Sequence, residues 1–228
     1  MPTDIRTQKL AKTVVNSILK VKSGENVIIS GSTEAEQFIL ALYKEIILSG
    51  GHPTLKISIP ETTPFFYKYA KKPQIEKFPD HFDYMVKNSQ KYIGIDTTSN
   101  TKELSNCNPR KITARSRITN PISEYICNSK PKMIRCTVGF PCLALAQEAE
   151  MSLTEYENFV YSACLQDWKR IGKFMEKVKS KFKKESEVHL IGEGVDLKFR
   201  VHGDLAKQTL MEETCLWGRY LWHHLEKV

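Results

Sequence analysis

The chain has 228 residues, 41% of them hydrophobic and 26% charged, a balance that supports a buried core and argues against disorder as the default. No apolar run approaches the roughly 20 residues that span a bilayer. The opening MPTDIRTQKLAK also lacks a signal-peptide core, so a cytoplasmic protein with no membrane partner is expected.

In chain order, Thr3 or Asp4 can cap a helix running to Val21 with Leu10, Val14 and Ile18 on its core face, ended at Ser23–Gly24. NVIIS at 26–30 is a short β-branched run of the kind that forms a strand buried on both faces. Residues 34–49 place Phe38, Leu42 and Ile46 on one helical stripe and stop at Gly50–Gly51; residues 54–59 then read as a second strand. TPFFYKYAKK and KFPDHFDYMVKNS read as helices punctuated by Pro73 and Pro79. Residues 92–97 and 133–138 are the third and fourth strands, separated by a helix at 110–127.

Ser152 precedes Glu155 by three residues, the capping-box spacing, and opens a helix whose inward face is expected to be Leu153, Tyr156, Phe159/Val160 and Ala163/Cys164. A lysine-rich amphipathic helix follows at 168–183, then strands at 188–191 and 196–201 around GEG, a hairpin. This β–α rhythm predicts an α/β fold, a mostly parallel sheet flanked by helices, with a short C-terminal strand pair. The expected core is Val27, Ile28, Ile29, Phe38, Leu42, Ile57, Ile93, Ile95, Ile134, Val138, Phe159 and Val160.

Chemistry-bearing residues are scattered. The loop Ser30–Gly31–Ser32–Thr33 follows a strand and precedes a helix but matches neither GxGxxG nor GxxxxGK(S/T), which favours a helix cap over a phosphate site. His52, His81, His189 and His202 form no HExxH or HxD grouping, and the adjacent His223 and His224 diverge on either a strand or a helix. Glu148, Glu150, Glu155 and Glu157 are the densest acidic group, yet Glu155 and Glu157 face different ways on a helix. The six cysteines, at 107, 127, 136, 142, 164 and 215, include no CxxC pair and are expected to be reduced, with Cys164 a small buried hydrophobe rather than a nucleophile. No catalytic, cofactor-binding or metal-binding residue is assigned. A net charge of +8 admits a polyanionic partner, but the densest basic run alternates with Ile171, Phe174/Met175, Val178 and Phe182 as a solvated helix face does, so nucleic acid is disfavoured.

The string ALAQEAEMSLTEYENFVYSACLQDW, at 144–168, closely resembles a segment of the aminopeptidase T and aminopeptidase S family, which typically reads AQEAGMSLEEYEDFVYxAC there. The resemblance extends through LAKTVVNSILKVKSGENVIISGSTEAE, GGHP, FYKYA and NTKELSN to VDLKFRVHG, ending at Gly203. It implies the N-terminal domain, residues 1–203, of a two-metal exopeptidase that removes residues from peptide N-termini, acts on peptides and pairs as a homodimer. In that family the carboxylates and histidines holding two divalent ions, of zinc or cobalt type, belong to a C-terminal domain. A truncated fragment, inactive alone and binding no metal itself, is therefore expected. The alternative is an independent nucleotide- or nucleic-acid-binding α/β module.

Residues 204–228, DLAKQTLMEETCLWGRYLWHHLEKV, do not resemble the family, whose members continue with SDG and then NMPxGE(V/I)xxAP. If each codon is rebuilt from the last base of one and the first two of the next, Met211–Glu212 must give Gly, Trp217–Gly218 Gly and Trp222–His223 Ala. The junctions between permit DGRNMPVG(K/E)IxxAP. A frame-shifted tail is expected, against a genuine C-terminal helix anchored by Leu210, Trp217 and Leu221.

Overall fold

The computed structural model describes residues 4–129, 133–179 and 186–201. The chain divides into two compact units, Met1–Cys164 and Leu165–Val228.

In the first unit, Asp4 opens α1 (Ile5–Lys12) by accepting the Arg6 backbone N–H at 2.7 Å. The expected stripe holds as far as Val14. Residues Thr13–Ile18 then form a π-helical turn, closed by Leu19 N–H to Val14 C=O at 2.9 Å. The wider turn advances the inward face by one position, so Leu19 is fully buried in place of Ile18.

β1 (Asn26–Ser32), α2 (Glu36–Leu48) and β2 (His52–Ser58) form a β–α–β unit, with β1 and β2 parallel from Asn26↔His52 to Ser32↔Ser58. Gly50, at φ +77, makes the left-handed turn out of α2 that a side chain would strain. Three short helices, α3 (Thr62–Tyr69), α4 (Lys72–Glu76) and α5 (Asp80–Lys87), lead to β3 (Lys91–Asp96). α6 (Pro109–Asn128) then leads to β4 (Ile134–Gly139). The sheet order is β2-β1-β3-β4, all parallel. The crossovers β1→β2 and β3→β4 run in opposite directions and so place their helices on opposite faces. Ile28 accordingly packs with Val86 of α5 and Ile122 of α6, whereas Gly31, on the other face, lies under Ile39 of α2.

α7 (Leu143–Glu148), which the sequence pattern does not announce, and α8 (Leu153–Cys164) complete this unit. The capping box forms as expected: Ser152 N–H donates to Glu155 Oε2 at 2.9 Å and Glu155 N–H to Ser152 Oγ at 3.3 Å. The inward face forms only in part. Val160, Tyr161 and Cys164 are buried, while Phe159 is 57% exposed and Leu153 is exposed as well. The neighbour under α8 is α1, and the helix is turned by about one residue, 100°, towards it. Ile57 and Ile134 also leave the expected core; each lies on an outer strand, although Val138 of β4 stays buried. The other expected core residues are buried.

In the second unit, α9 (Trp168–Lys179) is followed by an antiparallel hairpin of β5 (Ser186–Gly192) and β6 (Val195–Val201), paired Val188↔Phe199 and turning at Gly194, φ +73. Phe174, read as part of the apolar side of α9, is exposed. His202 and the expected tail at 204–228, with Cys215, His223 and His224, lie outside the described residues.

Phe38 is fully buried and stacked on Phe140 at 5.3 Å between ring centroids. Phe38→Ala should cost about 3–5 kcal/mol, and Phe159→Ala should stay within about 0.5 kcal/mol. Urea unfolding of both variants checks the contrast; comparable losses would contradict the placement of α8.

Candidate functional site

A cleft of about 310 Å³ lies at the carboxyl ends of β1 and β4, where ligands of open α/β sheets are held. Asp4 and Thr7 of the first helical segment line it, with Thr33, Glu34, Glu36 and Gln37 at the entry to α2, Phe140 just after β4, and Glu157 and Tyr161 of α8. Each position has a local cause. Asp4 is there because it caps α1; Glu34 and Glu36 occupy the first turns of a helix, where its dipole favours carboxylates. Tyr161 is carried in by the inward face of α8.

Arg6 binds this rim together. Its Nη2 contacts Asp4 Oδ2 at 2.6 Å and Glu157 Oε2 at 3.2 Å, Nη1 donates to Asn158 Oδ1 at 2.6 Å, and Cζ stands 4.6 Å over the Tyr161 ring. Beneath it Thr7 Oγ1 and Tyr161 OH share a buried hydrogen bond of 2.7 Å. The Arg6 side-chain hydrogen bonds, helped by its backbone N–H, hold the Asp4 carboxyl below its ordinary range. Burial raises the Tyr161 hydroxyl, against the smaller opposing effect of Thr7. With one guanidinium among four carboxylates, the cleft attracts positive charge, an ammonium or guanidinium being the matching group. Its lining has no imidazole, thiol or amine to activate a nucleophile.

The residues singled out from sequence fall as follows. β1 runs through Ser32, whose Oγ accepts the Glu34 N–H at 3.4 Å, so the loop caps a helix. His52 is exposed at the start of β2 and His81 in the first turn of α5. His189 Nε2 contacts Asp196 Oδ1 at 2.6 Å on the hairpin. Glu148 accepts from Thr101 Oγ1 at 2.6 Å and pairs with Lys102 at 3.2 Å, contacts that lower its pKa, the threonine bond most. Glu150 is exposed in left-handed backbone, φ +55. Glu155 is held low by the Ser152 hydroxyl, and Glu157 alone of the four reaches the cleft. Burial pushes the Cys164 thiol up to about 11, as fits a small buried hydrophobe. Asp4 is legible as a helix cap but not as a cleft residue, and Arg6 and Tyr161 carry no local sequence signal, since Arg6 and Glu157 are 151 positions apart.

The family model for thermophilic metalloproteases (M29) matches residues 3–207. The chain belongs to that family. Wild-type AmpT from Thermus thermophilus, a solved structure, is similar with a TM-score of 0.66 and 19% identity, over 85% of this chain and 52% of that one. At this identity the likeness shows the shared fold, and the chain spans about half the length of AmpT. No curated protein matches the chain.

A metalloprotease of the M29 family needs protein ligands for its metal. Among the described residues no group of three or more His, Cys, Asp or Glu is placed to hold an ion. The cleft carboxylates do not fill that role: Asp4 and Glu157 are engaged by Arg6, and no imidazole joins them. The described residues thus do not fit the metal centre.

Asp4 also sets a pH dependence. Because its folded pKa lies below the ordinary 3.8, it contributes stability at pH above that value and loses it as pH falls through the folded one. Solvent screening limits the contribution to about 1 kcal/mol or less. NMR titration should find the Asp4 midpoint below 3.8. Arg6→Ala should raise it; an unmoved midpoint contradicts the ion pair.

Proposed function

We propose that the chain is the N-terminal part of a metal-dependent aminopeptidase, which releases residues from peptide N-termini, and that by itself it supplies scaffold, subunit contact and shape around the substrate path. The match over residues 3–207 and the likeness to AmpT support the peptidase reading. The observation that carries the non-catalytic part is the lack, among the described residues, of any group able to bind a metal ion. Activating water between two divalent ions of zinc or cobalt type requires several imidazoles and carboxylates on one cavity. In this reading those ligands, and with them catalysis, lie outside the described residues. Residues 1–203 form the family's N-terminal region. A cytoplasmic location and a homodimer belong to the same proposal; no helix among the described residues is long and apolar enough to cross a membrane.

The nucleotide- or nucleic-acid-binding alternative is disfavoured by the cleft, since four carboxylates at the strand ends repel phosphate. Purified chain should show no chelator-sensitive hydrolysis of aminoacyl-nitroanilides on addition of zinc or cobalt. Metal-dependent turnover would overturn the non-catalytic reading.

The proposal extends to residues 204–228 as a frame-shifted tail. Its support is the forced Gly, Gly and Ala at family spacing when the codons are rebuilt across Met211–Glu212, Trp217–Gly218 and Trp222–His223. Reading the gene in the shifted frame should continue into a glutamate- and histidine-rich domain. A stop codon soon after the motif would defeat this.

A further inference from the structure

The face of the sheet under α5 and α6 turns polar towards the carboxyl ends of its strands. Register fixes one row across it: Lys56 of β2 pairs with Ser30 of β1, and Ser30 with Gly94 of β3. Ile57 and Gly31, one position on, belong to the α2 face, where Gly31 lies under Ile39. Alternation therefore puts Lys56, Ser30 and Gly94 on the opposite face. Ile28 shares that face two positions earlier, packed with Val86 and Phe82 of α5. The Lys56 Nζ stands 4.8 Å over the Phe82 ring.

Tyr92 completes the row. It leans along β3 so that its Cε1 passes 3.5 Å from where a Gly94 Cβ would stand, and its hydroxyl is hydrogen-bonded to the Ser30 side chain. Burial raises the Tyr92 hydroxyl, against the smaller lowering effect of that bond, and so keeps it protonated. Ser30 thus has a phenol on one side and Lys56 on the other, paired strands standing about 4.8 Å apart.

The amine at the end of this row is chemically distinctive. Among the described residues no carboxylate pairs with Lys56, whereas Lys72, Lys77, Lys87, Lys91 and Lys102 each have one. Burial against the sheet and α5 pulls its pKa below the usual lysine range. More of such an amine is neutral, the form that adds to a carbonyl carbon. Access is open as well, because β2 pairs with β1 alone and Lys56 is exposed on that edge strand.

We propose that Lys56, with Ser30 and Tyr92 beside it, is an imine-forming site for a small aromatic aldehyde. The neutral Nζ adds to the aldehyde carbon, a C–N bond forms, one nitrogen proton is lost and the carbonyl oxygen gains one. The carbinolamine then breaks its C–O bond, the nitrogen lone pair closes C=N, and the oxygen leaves as water with the second nitrogen proton. The Ser30–Tyr92 hydroxyl pair passes these protons, and Phe82 offers a flat apolar wall to the aldehyde's ring. None of these residues lines the acidic cleft. The site is independent of the peptidase reading, and neither stands or falls with the other.

The full chain, treated at neutral pH with limiting pyridoxal and cyanoborohydride, should carry the reduced adduct at Lys56 at least about ten-fold more than at any other lysine. Peptide mapping by mass spectrometry reads this, with the N-terminal amine, reactive in any chain at that pH, as the internal standard. Tyr92→Phe keeps the ring and removes the hydroxyl, and Ser30→Ala removes its partner. Each should slow labelling of Lys56 about three-fold or more while the internal standard is unchanged. A label spread evenly over the lysines, or a Lys56 rate untouched by Tyr92→Phe, would overturn the site.

Discussion

Val27, Ile28 and Ile29 are all fully buried, because β1 lies between two parallel strands and beneath helices on both faces. Much of the first unit follows from covering that strand. Parallel pairing requires a crossover after each strand, and the reversal of direction between β1→β2 and β3→β4 sends α2 to one face and α5 and α6 to the other. The carboxyl ends of β1 and β4 then open towards a common rim. Asp4, Glu34, Glu36 and Glu157 collect there.

Arg6 is what makes that rim a single structure. A lone guanidinium spans the cap of α1 and the side of α8, with Tyr161 as its platform and Thr7 completing a buried hydroxyl pair below. Each exposed ion pair alone contributes little, but ring contact and shared donors hold the geometry more firmly than separate bridges would. Four carboxylates line this cleft in a chain whose net charge is +8. Overall charge therefore says little about the group this cleft would receive.

The M29 match and the site chemistry carry different weight. Family membership over most of the chain implies a metallopeptidase lineage, whereas hydrolysis depends on ligands converging on an ion. Among the described residues no such group is placed.

The sequence by itself determined most elements and their order, since β-branched runs, helical stripes, Gly stops and the Ser152–Glu155 box are local signals that survive into β1, α2, β3, β4 and α8. The string at 144–168 was also enough to place the family. Tertiary structure alone decided which side of each element faces in. A π-turn exchanged Ile18 for Leu19, and packing on α1 turned α8 away from Phe159. Ile57 and Ile134 are as apolar as Ile93, yet they stand exposed on edge strands while Ile93 is buried on an inner one. The cleft was invisible for the same reason. Periodicity records which residues share a face, but what that face meets depends on chain neighbours up to 154 positions distant, and only the folded topology brings them together.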